Sequence, residues 1–393
     1  MSNDPIKIID EYDASLGYHR SVLPLDIRLG ITTSPEKLSL KLRWGILATG
    51  KVAHDFVQAL KFLPHHSITA VGSRTLERAE WFAGIHHIPT AHGSYEDLCQ
   101  NPAVDVIYIA SLHPDHKDHA VMALNAGKHV LVEKPMTMKA EDAELLYALG
   151  RKKHLFVGEG MWTRFFPAVE WTRPYPTDSL YAKELGGGSA WTMLPYVVGA
   201  ALLPFGNREP DRIAANGINP VDDDVGDVAI GMTMTFTIDG NELQQGGSRE
   251  DKPPGNKAIA SGLVGYLAES SEVTMYAGRS GRIMVQGPAH CPTSAMLIRK
   301  SEGRGNGETS DSKCSNSLSI PTTFQVEFPL PLPTQDIEDS GGIKLPNSMG
   351  FIYEAEAVRR LISAKHYSFP QWTAEESVSC IRIIEKMLSQ IAE

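Results

Sequence analysis

Chemistry first becomes possible at Gly45-Ile46-Leu47-Ala48-Thr49-Gly50-Lys51-Val52-Ala53, where a short apolar run meets small residues and then a helical repeat. A strand, a tight small-residue turn and a helix N-terminus make a cradle for phosphate. The turn lets the backbone approach the anion, and the unpaired N–H groups of the helix point at it. The spacing departs from G-x-G-x-x-G, because Ala48 opens the turn and Ala53 closes it. Alone, such a turn is equally an ordinary strand-to-helix connection. The next strand ends Val71-Gly72-Ser73-Arg74, with Ser73 placed 23 residues after Gly50. No carboxylate stands where an Asp or Glu would bind a ribose 2′-hydroxyl. Ser73 can donate to a phosphate there, and Arg74 and Arg78 can clamp its charge. The string favours NADP over NAD, against the plainer reading in which the arginines only solvate a helix start. His113, His116 and His119 are spaced by three. On a helix they fan apart around the axis, so one ion cannot easily collect all three, and no metal is expected.

These residues need elements to hold them. Residues 44–48, 68–71, 104–110, 129–132 and 155–157 read as strands. Residues 52–63, 76–82, the stretch up to Ala126 and residues 139–153 read as helices, with a capping box at Ser94-Tyr95-Glu96-Asp97. Residues 104–110 are β-branched and apolar without alternation, as a strand buried on both faces should be. This alternation of strand and helix predicts an α/β architecture that opens with a Rossmann dinucleotide-binding domain. It also favours the nucleotide reading of the turn. After Phe166 the pattern changes to strand-like runs at 228–238, 272–276, 282–285 and 323–328 with glycine-rich turns. The first of these alternates, which predicts a mostly antiparallel open sheet with one covered face. Residues 301–319 read as a loop. Two helices close the chain, at 351–364 and from the capping box Thr373-Ala374-Glu375-Glu376 onward. The expected organisation is an extension over 1–43, an NADP-binding Rossmann domain over 44–160, and an α+β substrate and oligomerisation domain over 161–393.

Composition narrows the function classes. The 393 residues are 42% apolar with a net charge of −10, which excludes wholesale disorder and speaks against a chain built to hold nucleic acid or an anionic membrane. Cys99, Cys291, Cys314 and Cys380 lie far apart, so neither a disulfide framework nor a zinc site is expected. Asp4, Asp10, Glu11 and Asp13 make the start unlike a signal peptide or a presequence. The longest uncharged apolar stretch, 193–205, contains two prolines and is too short to span a bilayer. A cytoplasmic protein is expected.

The string Val130-Leu131-Val132-Glu133-Lys134-Pro135, taken with the turn, resembles the Gfo/Idh/MocA oxidoreductase family. So do Asn101-Pro102-Ala103-Val104-Asp105 and the approach Ala123-Leu124-Asn125-Ala126-Gly127-Lys128-His129. Met161-Trp162-Thr163-Arg164-Phe165-Phe166-Pro167 and Gly350-Phe351-Ile352-Tyr353-Glu354-Ala355 look most like the branch of dimeric dihydrodiol dehydrogenase and NADP-dependent D-xylose 1-dehydrogenase. The resemblance is dense over 44–166 and patchy over 186–393. It implies hydride transfer between nicotinamide and a hydroxyl-bearing carbon of a D-xylose-like sugar or a cyclic trans-dihydrodiol. It also implies a homodimer joined through the C-terminal sheet.

Within that resemblance, Lys134 stands beside the substrate oxygen and stabilises charge developing on it, after a Lys134–Pro135 bond that is often cis. Tyr196 matches the tyrosine that follows the glycine run Gly186-Gly187-Gly188 and serves as proton acceptor. A phenol needs a lowered pKa for that task, which a neighbouring ammonium such as Lys134 would supply; the alternative is a buried structural tyrosine. The cofactor would lie along Gly45, Ala48, Thr49, Gly50, Lys51, Val52, Ser73, Arg74 and Arg78. Ser111, Leu112 and His113 would flank it, His116 would approach the nicotinamide ribose, and Glu133, Trp162 and Arg164 would complete the site.

Three departures stand out. Thr192 occupies the place of a family aspartate, able to bond a hydroxyl but not to carry charge. Pro195 is costly inside a helix beyond its first turn, so the helix is expected to start late and displace Tyr196. Only 19 residues separate Phe166 from Gly186. Relatives have a longer stretch there with the first strand of the second sheet, and no counterpart is expected here. A regulator that keeps the dinucleotide without the chemistry, or an enzyme diverged toward a secondary metabolite, would also suit these departures.

Overall fold

Six parallel strands build the first sheet: β1 (Leu42–Leu47), β2 (His66–Gly72), β3 (Thr90–His92), β4 (Val106–Ile109), β5 (His129–Glu133) and β6 (Val157–Gly160). Their order is β3-β2-β1-β4-β5-β6. Helices α1 (Lys51–Lys61), α2 (Leu76–His86), α3 (Tyr95–Gln100), α4 (His116–Asn125) and α5 (Ala140–Lys153) connect them. The computed structural model describes residues 40–172, the backbone of 181–182, and residues 191, 193–205, 208–218, 229–237, 257–265, 272–278, 281–299 and 322–391. Readings that fall on residues 1–39, the glycine run, Thr192 and residues 301–319 lie outside these. Every residue of β4 is buried, as its unbroken apolar run requires. Ser94 Oγ accepts from Asp97 N at 3.1 Å, so the capping box starts α3. The strand order reverses between β1 and β4. Their C-terminal ends therefore bracket the crevice where ligands bind in such sheets.

The second half begins with α6 (Pro167–Thr172) and α7 (Leu194–Leu202). Its sheet has the order β14-β13-β12-β11-β7-β10-β9-β8. The strands are β7 (Tyr181–Ala182), β8 (Arg212–Ile218), β9 (Ala229–Thr237), β10 (Lys257–Gly265), β11 (Thr274–Gly278), β12 (Gly281–Val285), β13 (Ser294–Arg299) and β14 (Thr322–Glu327). All pairs are antiparallel except β7 with β10. The short stretch after Phe166 thus does contribute a strand to the second sheet. Its two residues pair with Ile259 and Ala260 on one side and with Tyr276 and Ala277 on the other. β8, β10 and β13 were not read from the sequence. β8 and β10 are rich in Ala, Gly and Asn, which weaken a β signal, and their register with β9 is what makes them strands. Gly262 in β10 matters for position. A Cβ there would stand 2.5 Å from Val197 Cγ1, so only glycine lets α7 lie this close to the sheet.

After β14 the chain returns to the first sheet. α8 (Gln335–Asp339) leads into a strap that crosses α1 and then into α9 (Phe351–Ser363) and α10 (Ala374–Ile391). Gln58 Nε2 donates to the Ile337 and Gly342 carbonyls, at 3.2 and 3.3 Å. The fully buried Asp55 accepts from Lys344 N, Leu345 N and Ser348 Oγ. On α9, Glu356 is clamped by Arg359, Arg360 and His66, and Trp44 Nε1 donates to His66 Nδ1 at 2.9 Å. Thr373 and Glu376 bond reciprocally, as the capping box of α10 requires. Among the described residues no helix is long and apolar enough to cross a membrane.

Candidate active site

The turn after β1 fits an anionic ligand. Ala48 lies in the left-handed region at φ 81°. Among the described residues no side chain caps α1, and its first turn carries no acidic residue, which leaves its leading N–H groups open to an anion. A Cβ built on Gly50 meets nothing within 4 Å, which leaves room for a pyrophosphate against the backbone. Lys51 and Val52 open the helix. Gly45 is a correction: it lies inside β1, where a Cβ would stand 2.8 Å from Ile107 Cδ1 and 2.9 Å from Val104 Cγ1. Its lack of a side chain answers to sheet packing rather than to a ligand. Ser73 and the exposed Arg74 follow β2. Arg78 donates to Thr49 Oγ1 and O, both at 3.1 Å, and its guanidinium stacks 3.9 Å over Trp81. Thr49 and the two arginines thus share one corner at the ends of β1 and β2.

The second cluster forms where β5 ends. The Lys134–Pro135 bond is cis. Glu133 accepts from Tyr108 Oη at 2.6 Å and from Lys134 N at 3.2 Å. Lys134 Nζ stands 4.6 Å from the centre of the Tyr196 ring. Trp162 Nε1 donates to Tyr196 Oη at 3.1 Å, and the indole stacks on Phe351 at 4.4 Å. Pro195 falls in the first turn of α7, where its missing N–H costs nothing. The helix starts at Leu194, which puts the proline in the first turn as its cost in a helix interior predicts.

The electrostatics differ from the sequence expectation. Burial lowers the Lys134 ammonium, opposed by Glu133 and Glu159. Burial, followed by the Glu133 carboxylate, pushes the Tyr196 phenol well above its usual value. Burial first, and then the Glu133 carboxyl, outweigh the acidification expected from the ammonium. Glu159, buried beneath, accepts from Met136 N, Trp372 Nε1 and Ser377 Oγ. Tyr196 keeps its proton at neutral pH.

Glu354, in the first turn of α9, is fully buried, and neither of its oxygens has a hydrogen-bond partner among the described residues. Burial, with Glu133 and Glu159 adding, raises its pKa well above the usual carboxylate range. The folded chain then holds a proton that the unfolded chain releases, so stability falls as pH rises past that range. The loss is up to about 1.4 kcal/mol per pH unit. Glu354→Gln removes this slope, as urea denaturation at about pH 5 and about pH 8 would read.

The remaining candidates separate. His116 Nδ1 faces Pro135 O at 2.9 Å and Nε2 faces Ser111 O at 3.1 Å, which pins the loop after β4 to the turn after β5. Ser111 Oγ meets His119 Nδ1 at 2.8 Å. Burial, then His116 and Lys134, lower His113 to about 4. Leu112 is exposed at the sheet edge. Arg164 is a further correction. Its guanidinium is committed to Glu376 at 3.2 Å and the Gly199 carbonyl at 2.8 Å, over Trp372, so it ties α7 to α10. Two residues were missed: His290 and Glu272 line a hollow with Tyr196. Neither stands in a motif, so no signal in the sequence pointed to them.

Residues 42–161 match the Gfo/Idh/MocA family, described as an oxidoreductase family with an NAD-binding Rossmann fold. Trans-1,2-dihydrobenzene-1,2-diol dehydrogenase of Danio rerio is 31% identical over 350 residues, covering 83% of this chain and 89% of that protein. The chain belongs to the Gfo/Idh/MocA oxidoreductase family. The enzyme of the same name from Xenopus laevis is 30% identical over 372 residues, covering 89% of this chain and 98% of that one. A 3-ketoreductase from Actinomadura kijaniata, crystallised with TDP-benzene and NADP, has the same fold. Its TM-score is 0.66 at 18% identity, over 89% of this chain and 98% of that one. As a Gfo/Idh/MocA member, this chain is an oxidoreductase with an NAD(P)-binding Rossmann domain.

Proposed function

We propose that this oxidoreductase uses NADP(H) and moves hydride to or from the hydroxyl-bearing carbon of a cyclic trans-diol or a D-xylose-like sugar. The placement of the Lys134 ammonium over Tyr196 at the C-terminal edge of the first sheet carries this reading, and the relatives named dihydrodiol dehydrogenase support it. When bound, the dinucleotide supplies or accepts the hydride at nicotinamide C4. The side chains handle charge and proton. Lys134 bonds the reacting oxygen and offsets the negative charge that grows as a carbonyl becomes an alkoxide. Tyr196, a protonated phenol, gives its proton to that oxygen in reduction and takes it back in oxidation. The Trp162 indole N–H fixes the Tyr196 oxygen from the side. Turnover of trans-dihydrodiols and of D-xylose with NADP and with NAD tests the proposal. A protein that binds NADPH yet oxidises neither compound would be a regulator of the same fold instead.

Ser73, Arg74 and Arg78 would hold the 2′-phosphate. Replacing both arginines with alanine weakens NADPH binding by about 10²-fold or more, since each charge-assisted bond is worth about 1.5–3 kcal/mol. NADH binding changes far less, and fluorescence titration of both nucleotides measures the ratio. An unchanged ratio would remove the arginines from cofactor choice. We also propose a cytoplasmic homodimer. Ile218, Ile259 and Leu263 are exposed on β8 and β10 of the second sheet, which supports pairing there. Cys99, Cys291 and Cys380 are buried free thiols, which supports a reducing compartment.

A further inference from the structure

Beside Tyr196 stands a histidine that the hydride-transfer step does not use. His290 lies between β12 and β13, its ring centre 5.5 Å from that of Tyr196 and 6.2 Å from that of Trp162. Its backbone is held from several directions. Ala289 N donates to Glu272 O at 2.8 Å, Thr163 Oγ1 donates to the His290 carbonyl, and Asn347 Nδ2 donates to the Cys291 carbonyl at 2.8 Å. The ring is therefore pre-placed rather than loosely tethered. His290, Glu272 and Tyr196 line one hollow with Thr274 and the apolar Val197 and Ala289.

The partner of the ring decides its state. Glu272 Oε2 lies 3.3 Å from His290 Nδ1. The contact lies outside hydrogen-bond geometry, but a carboxyl oxygen this close favours the proton on Nδ1 by charge and leaves Nε2 as the lone-pair acceptor. Nε2 has no protein partner among the described residues. Burial, with the Lys134 charge adding, lowers the imidazole to about 4, so it is neutral at physiological pH. The hollow therefore offers two different polar surfaces. At Tyr196 and Lys134 there are proton donors for the reacting oxygen. At His290 there is an acceptor, which suits a hydroxyl that keeps its hydrogen.

We propose that His290, oriented by Glu272, binds the second hydroxyl of a vicinal diol whose first hydroxyl reacts at Tyr196 and Lys134, and so selects diols over simple secondary alcohols. This rests on the proposed role of Tyr196 and Lys134. Glu272 is a positioning residue that acts through the imidazole.

The test compares a cyclic trans-1,2-diol with the mono-alcohol of the same ring, using the full-length protein and NADP. Wild type favours the diol. His290→Ala lowers kcat/KM for the diol by about 10–100-fold and lowers it far less for the mono-alcohol, so the preference collapses. His290→Gln, which keeps an acceptor, restores part of it. Glu272→Gln raises KM for the diol more than it changes kcat. NADPH titration confirms that each variant is folded. Equal losses on both compounds, or no loss on the diol, overturn the proposal. Quenching of tryptophan fluorescence by diol and by mono-alcohol reads the same preference without turnover. Preferential diol binding that His290→Ala abolishes, in a protein that oxidises neither compound, sustains the His290 site and overturns the reading of Tyr196 and Lys134. Equal binding of diol and mono-alcohol by wild type overturns the His290 site.

Discussion

Tyr196→Phe lowers kcat for carbonyl reduction by about 10²–10⁴-fold, the range that a lost general acid produces, and leaves NADPH affinity unchanged. The phenol oxygen is held by the Trp162 indole, with Lys134 Nζ 4.6 Å from the ring centre. Phenylalanine keeps the ring packing and removes the hydroxyl, and with it the proton and the acceptor of the Trp162 N–H. Lys134→Met removes the charge that stabilises the alkoxide and costs about 10²–10³-fold. The two losses do not add, because both groups serve one oxygen. The direction of the Tyr196 shift adds a pH signature. Burial and Glu133 keep the phenol protonated through neutral pH, so reduction is supported there, while oxidation, which needs the phenolate, speeds up as pH rises into the alkaline range. Steady-state rates in both directions across pH check this. A Tyr196→Phe protein with unchanged kcat would remove the tyrosine from the reaction.

Asp55→Ala destabilises the fold by about 2–4 kcal/mol, because it leaves two partly buried backbone N–H groups without their acceptor and the buried Ser348 hydroxyl with only the Leu345 carbonyl. Asp55 sits on α1 and is fully buried. It receives Lys344 N at 2.9 Å, Leu345 N at 2.7 Å and Ser348 Oγ at 2.8 Å from the strap. The same helix begins at the phosphate turn, so loosening the strap also weakens NADPH binding. Asp55→Asn, which keeps one acceptor oxygen, falls between wild type and alanine. Urea denaturation measures the stability and fluorescence titration the binding. An unchanged midpoint for the alanine variant would show that the strap contributes nothing to stability.

The first sheet was largely legible because its strands are buried on both faces and follow one another through short helical crossovers. Each reads as a local apolar run, as β4 does. Only β3 escaped, at three residues too short for any period to register. The second sheet was legible where strands alternate, as β9 does. It was illegible where glycine and alanine dominate, as in β10, whose strand character comes from pairing with β9. β7 has two residues and owes its existence to the strands on either side.

The site divides along the same physical line. The sequence by itself pointed to the small-residue turn after β1, the arginines after β2 and the lysine before Pro135 as candidates, because each is a local string whose chemistry depends on its own neighbours. Tertiary structure alone decided what those groups experience. Arg164 is taken up by Glu376, 212 residues away. Gly45 serves strand packing. The Tyr196 phenol moves up rather than down, because folding buries it and brings Glu133 beside it. His290 and Glu272 join the hollow through loop closures that leave no spacing or period in the chain. Burial and long-range charge are properties of the assembled interior, and these set the proton inventory on which the chemistry depends.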